Sequence, residues 1–229
     1  MKNELPMNQT WNVTTKRCVA FLDIMGFKDM VARSSHDTIY KRLQSISKSQ
    51  NAIEEAKFLN VYMTKFSDSI AIFSKDDTKD SLMAFMVATE FVFTKCIIDG
   101  IPIKGAMAYG KISVDIENSL FFGQPIIDAY QLEEDLKYYG IILHHTMFNV
   151  LNKRGLGSVN IKHIETPLKC GNIFHYNLDW FTSYNKLADE KKDSKIIEFI
   201  EQYYNKVSGA PRKYIDNTIG VYRKFYPEQ

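Results

Sequence analysis

The sequence predicts an α+β fold: a ferredoxin-like βαββαβ sheet carrying helices, followed by a helical appendage at the C-terminus. Three observations carry this expectation. From residue 16 to about 182, short apolar runs bounded by glycine alternate with segments of helical periodicity. Two of the strand-like runs, 58–66 and 69–73, are separated by Ser67-Asp68, as in a hairpin flanked by helices. From Leu187 onward the helical pattern continues with no strand to pair with. The expected layout is therefore a loose polar arm over 1–15, a domain over 16–182 and a helical extension over 187–229.

Taken in order, Arg17 to Gly26 is a continuous apolar run closed by glycine, which reads as a buried strand ending in a sharp strand-to-helix turn. Helical periodicity from Phe27 to about Ala56 breaks at Ser34-Ser35-His36-Asp37. After the hairpin, Ser81 to Ile98 is the most apolar helix, with Asp80 as the expected N-cap and Gly100 as the stop. Ile101 to Val114 reads as a strand pair or a bent strand, and Gly105 and Gly110 mark close backbone approaches. Pro125 opens a helix expected to run to Tyr139, Ile141–Leu143 is a strand, and His144 to Asn152 a short helix. Two strands follow within 161–178, broken at Cys170-Gly171, and two amphipathic helices are expected over 188–206 and 211–225.

The 229 residues contain 29 basic and 27 acidic side chains, a net charge of +2 with the two signs interspersed. Such a balance gives no electrostatic footprint for long nucleic acid. At 45% hydrophobic and 24% charged the composition excludes global disorder. No apolar run reaches the roughly 18 to 20 residues of a membrane-spanning helix, so no membrane partner is expected. Cys18, Cys96 and Cys170 are odd in number and scattered, which fits reduced thiols and a cytoplasmic location. The pair His144-His145 has no ligand companions at metal-binding spacing.

Asp23 is the first residue that demands a chemical explanation, because it ends the apolar run Val19-Ala-Phe-Leu22 without a polar break. A carboxylate there is costly unless it is paired or holds a cation. Asp68 poses the same question at the hairpin turn, between Phe66 and Ile70. In a βαββαβ topology the first strand and the hairpin lie side by side, so both carboxylates project from one end of the sheet. Two hard oxygen donors with open positions left over suit Mg²⁺ or Mn²⁺ shared with a nucleoside triphosphate. The turn at Gly26-Phe27 beside them would offer backbone N–H groups to phosphate oxygens.

Phe21-Leu-Asp-Ile-Met-Gly-Phe-Lys28 resembles the first metal motif of the class III nucleotidyl cyclases, and Lys65-Phe-Ser-Asp-Ser-Ile70 resembles the second. Ile103-Lys-Gly-Ala-Met-Ala-Tyr-Gly110, Phe122-Gly-Gln-Pro-Ile-Ile-Asp-Ala-Tyr-Gln-Leu-Glu133 and Pro167-Leu-Lys-Cys-Gly-Asn-Ile-Phe-His-Tyr176 resemble the later motifs, so the likeness spans about residues 16 to 180. It is nearest to the small stand-alone bacterial pyrimidine cyclases of the Pycsar antiphage systems. The resemblance implies a homodimer with sites at the interface. It also implies two Mg²⁺ or Mn²⁺ ions held by Asp23, Asp68 and the Ile24 carbonyl, and conversion of UTP, or else CTP, to the 3′,5′-cyclic monophosphate and pyrophosphate. Gly26, Phe27 and Lys169 are then phosphate contacts, and Tyr62, Thr64 and Lys104 base contacts.

The departures from the family pattern are equally specific. Thr64 stands where purine cyclases carry a lysine or glutamate, and Leu120 where they carry an aspartate. Both changes argue against ATP and GTP. Ile127 and Gln131 occupy the positions of the family's transition-state asparagine and arginine, and Gln131 retains a hydrogen-bond donor but no charge. A catalytically idle nucleotide-binding or dimerisation module of the same fold is the alternative.

Overall fold

In the computed structural model, residues 11–55, 60–187 and 196–227 are described. The chain runs β1 (Thr14–Ile24), α1 (Phe27–Arg33), α2 (His36–Glu55), β2 (Val61–Phe66), β3 (Ser69–Ser74), α3 (Lys79–Ile98) and β4 (Ile103–Asp115). It continues through β5 (Leu120–Phe122), α4 (Gln124–Asp135), β6 (Ile141–Leu143), α5 (His145–Lys153), β7 (Ile161–Leu168) and β8 (Gly171–Leu178). The C-terminal part holds α6 (Phe181–Leu187), α7 (Ile196–Glu201), a 3₁₀ turn (Gln202–Lys206) and α8 (Arg212–Phe225). The sheet order is β2-β3-β1-β4-β6-β8-β7, with β5 added to β4. Its first four strands have the ferredoxin-like arrangement, and β1 lies between β3 and β4, antiparallel to both.

Alternation along β1 divides the core between the two sheet faces. Cys18, Ala20 and Leu22 join the large cluster formed with Leu82, Phe85, Val92 and Phe93 of α3. Val19 faces the other way, with Phe73, Ala108 and Ile112, in the cluster to which α4 contributes Ala129. Gly105 of β4 is needed for the close approach of the central strands: a Cβ there would lie 2.3 Å from Leu22 Cδ2 and 2.8 Å from the Phe21 carbonyl oxygen. At Gly110 a Cβ would meet Pro125 Cγ at 2.8 Å, so this glycine lets the start of α4 settle on the sheet.

Several elements differ from the sequence expectation. The arm and the start of the first hairpin run, 1–10 and 56–59, and the stretch 188–195 lie outside the described residues. Thr14 and Thr15 belong to β1, opposite Ser113 and Ile112. The α3 N-cap is Thr78, whose hydroxyl accepts the Ser81 N–H, so Asp80 falls in the first turn. Of the two expectations for 101–114, a strand pair or one bent strand, the second holds: Ile103–Asp115 is a single strand. The α4 helix stops at Asp135 and not Tyr139, because tertiary pairing takes the backbone: Leu136 bridges to Leu168, and the Lys137 N–H donates to the Pro167 carbonyl at 3.0 Å.

The helix α3 is long and apolar enough by composition to cross a membrane, contrary to the expectation from the sequence, but 67% of that segment is buried inside the molecule. It serves as the central core helix. Ile196, Ile200, Tyr203, Ile215, Ile219, Val221 and Phe225 are buried in the same cluster as the sheet, so the C-terminal helices share its core. The Tyr203 ring packs on Tyr139 at 5.9 Å, a packing role rather than an exposed stacking face.

Candidate active site

The strand register brings the two aspartates to one end of the sheet. Asp23 pairs with Ser69 of β3 on one side and with Lys104 of β4 on the other. One residue further on, the Ile24 N–H donates to the Asp68 carbonyl at 2.9 Å, which pins the hairpin turn to the end of β1. The turn is tight, with Ser67 at φ 56°. Gly26 follows at φ 71° and ψ 18°, left-handed backbone that releases the chain from β1 into α1. Beside this end a cavity of about 400 Å³ is lined by Phe27, Lys28, Val31, Ala32, Ser67 and Asp68.

Electrostatics bind these groups into one site. Burial pushes the Asp23 carboxyl up to about 7, and the carboxylates of Glu133 and Asp68 add to the shift while the Lys104 ammonium opposes it. Like charges concentrated at a half-buried position disfavour ionisation, and a divalent cation reverses that balance. Among the described residues no three His, Cys, Asp or Glu side chains gather around one point. Asp23 and Asp68 are near enough to influence each other electrostatically, and two carboxylates that leave coordination positions for water and phosphate oxygens would suit Mg²⁺ or Mn²⁺.

This shift has a sign that can be measured. Asp23 binds its proton more tightly in the folded protein than in the unfolded chain, whose carboxyl sits at the ordinary value of 3.8. The folded state is therefore penalised progressively from pH 4 to about 7, and fully above that. In metal-free protein, Asp23→Asn is expected to raise stability at pH 8 by about 1–2 kcal/mol, the full shift being reduced by solvent screening. Thermal unfolding should rise by a few degrees at pH 8 and not at pH 4; equal effects at both would exclude the electrostatic cause.

The remaining predicted residues are distributed unevenly. Lys104 is 7% exposed, with its Nζ 2.8 Å from Glu133 Oε1 and donating to the Glu133 backbone carbonyl at 2.7 Å. It caps the last turn of α4 and neutralises a buried acid. Tyr62 lies in an aromatic stack, 5.8 Å from Phe121 and edge-on to Trp11 at 6.1 Å. Thr64, half-buried opposite Ala71, falls on the same sheet face two residues along. Ile127 and Gln131 are exposed on one face of α4, four residues apart. Lys169, at the turn between β7 and β8, lies 3.8 Å from Asp135, and its N–H donates to the Asp135 carbonyl. It thereby reaches the same end of α4, since its charge acts on Glu133.

Glu133, 2% exposed, is the site residue that sequence reasoning missed. A signal existed. Pro125, Ala129 and Glu133 form the buried stripe of α4 at a spacing of four, and an acid on such a stripe requires a buried cation. Only the fold shows that this cation is Lys104, 29 residues away.

No protein-family model and no curated protein sequence matches the chain. Solved structures do. The guanylate cyclase domain of RhGC from Catenaria anguillulae, in complex with GTP, aligns with a TM-score of 0.54 at 16% identity, covering 72% of this chain and 96% of that one. The catalytic core of a rhodopsin-guanylyl cyclase with converted specificity, in complex with ATPαS, gives 0.54 and 16% over 72% of this chain and 95% of the other. The adenylyl cyclase CyaB from P. aeruginosa gives 0.52 and 14% over 72% and 94%. The chain thus has the fold of a class III nucleotidyl cyclase catalytic domain.

Proposed function

We propose that this protein is a divalent-metal-dependent nucleotidyl cyclase that converts a pyrimidine nucleoside triphosphate, UTP first and CTP second, into its 3′,5′-cyclic monophosphate and pyrophosphate. The observation that carries the reading is the juxtaposition of Asp23 and Asp68 at the ends of adjoining strands, with the Asp23 carboxyl held at about 7. Asp23, Asp68 and the Ile24 carbonyl are the groups to hold Mg²⁺ or Mn²⁺. When bound, such ions acidify a ribose 3′-hydroxyl and neutralise a pyrophosphate leaving group. The chain's own contribution is placement and charge. Phe27 and Lys28, which line the cavity, and Gly26 at the turn before them are assigned to the phosphates, and Lys169 supplies a cation near the end of α4.

Base selection is assigned to the face bearing Tyr62 and Thr64. What supports a pyrimidine is the absence of charge at Thr64 and Leu120, where a purine-reading pair would need it. Lys104 enters this proposal as an anchor of α4, since its ammonium is already engaged by Glu133. The enzyme is taken to work as a homodimer, in keeping with the family resemblance, and as a second-messenger synthase in antiviral defence. One observation favours the alternative of an idle nucleotide-binding module: Ile127 and Gln131 offer no charge on the exposed face of α4.

The test is incubation of the purified protein with each of the four ribonucleoside triphosphates and Mn²⁺, with mass detection of product and sizing of the same sample. Cyclic UMP or cyclic CMP from a dimer is the expected result. Cyclic AMP or GMP as the main product would overturn the pyrimidine assignment. Absence of turnover with every nucleotide would leave the binding module.

A further inference from the structure

The chain between α4 and β6 has one end at the candidate active site. The Glu133 carbonyl there accepts from both Lys104 Nζ and the Leu136 N–H, at 2.7 and 3.0 Å. Three residues on, the same segment is gripped by the C-terminal helix. The Tyr139 N–H donates to Thr218 Oγ1 at 2.9 Å, and Asn217 Nδ2 donates to the Lys137 carbonyl at 2.7 Å. Lys137 Nζ donates to the Tyr214 hydroxyl at 3.1 Å and lies over its ring, while Tyr139 stacks on that ring at 6.1 Å. Thr218 is fully buried, and its hydroxyl also donates to the Tyr214 carbonyl at 2.6 Å, so both its capacities are used.

Burying the apolar side of α8 would need none of this. Ile215, Ile219, Val221 and Phe225 already achieve it. The polar bonds from two adjacent helix residues go to backbone groups of 137 and 139, and their effect is to fix the path of that backbone. From the other side Trp180 Nε1 donates to the Tyr139 carbonyl at 3.1 Å, so this residue is held at both its backbone polar groups.

We propose that α8 is a positioning clamp for the active site: Asn217 and Thr218 hold residues 137–139 so that the last turn of α4, with Glu133 on Lys104, stays fixed across from Asp23. Asn217 and Thr218 are positioning residues, and the catalytic consequence rests on the cyclase reading given above.

The test uses the full chain carrying Asn217→Ala and Thr218→Val together, compared with Thr218→Ser, which keeps the hydroxyl. In the double variant, backbone amides of Leu136, Lys137 and Lys169 are expected to exchange with solvent about tenfold faster, the size expected for the loss of one or two buried hydrogen bonds. Turnover of the preferred nucleotide should fall about tenfold with little change in KM, the signature of a misplaced catalytic group. Thr218→Ser alone should leave both as in the unmodified protein. Faster exchange confined to α8, or Thr218→Ser behaving as the double variant, would overturn the clamp. Unchanged turnover with faster exchange at Leu136 would overturn its catalytic consequence. If the unmodified protein forms no cyclic product, the cyclase reading falls, while the exchange measurement still decides whether α8 fixes α4.

Discussion

Asp23→Ala and Asp68→Ala are each expected to reduce cyclic-nucleotide formation by about a thousandfold or more while leaving a folded protein. A thousandfold corresponds to about 4 kcal/mol of transition-state stabilisation, the scale of losing half of a two-carboxylate metal site. The fold survives for different reasons at the two positions. Asp68 is a turn residue whose backbone carbonyl, not its side chain, bonds the Ile24 N–H. Asp23 carries a penalty when ionised, so its removal relieves the strand end instead of weakening it. Product formation and thermal unfolding measured on the same samples separate the two effects. Full activity in either variant would remove the metal site from the proposal.

Lys104→Met is expected to be the most destabilising of the substitutions considered. It leaves the Glu133 carboxyl, 2% exposed, without its counter-ion. Breaking a buried pair from one side costs about 3–5 kcal/mol, which for a chain of this size lowers the unfolding temperature by about 10 °C. Burial already pushes the Glu133 carboxyl upward, against the pull of Lys104. Without the ammonium the acid is neutral at low pH and costly at high pH, so the loss should be greater at pH 8 than at pH 5. Adding Glu133→Leu should recover most of the stability, because two apolar side chains can replace a buried pair at little net cost. A double-mutant cycle by thermal and denaturant unfolding measures the coupling. Additive effects would mean that the 2.8 Å contact contributes nothing, and Lys104 would return as a candidate for reading the base.

Much of the architecture was legible because short-range rules dominate it. The break between α1 and α2, the hairpin of β2 and β3, and the β7–β8 turn are all marked by polar or glycine residues at the points where the chain reverses. The pairing of Asp23 with the hairpin turn was also legible, since in a βαββαβ order strand adjacency follows from the topology. Element ends were less so. Helical periodicity continues past Asp135, and what stops α4 there is the bridge from Leu136 to Leu168, a contact more than thirty positions away, between residues 136 and 168. Likewise α6 is held by the burial of Trp180 and Phe181, whose neighbours lie on α3 and α8.

By itself, the sequence determined the α+β class, the order of elements and the two acidic strand ends, because apolar periodicity and turn chemistry are local properties of the chain. Only the tertiary structure decided how charge is distributed around those acids. Lys104 and Glu133 have no visible connection until a strand and a helix meet, and Asn217 and Thr218 acquire their partners only when α8 closes over 137–139. Ion pairs and buried hydrogen bonds depend on distances of about 3 Å between groups remote along the chain, and no local pattern specifies them.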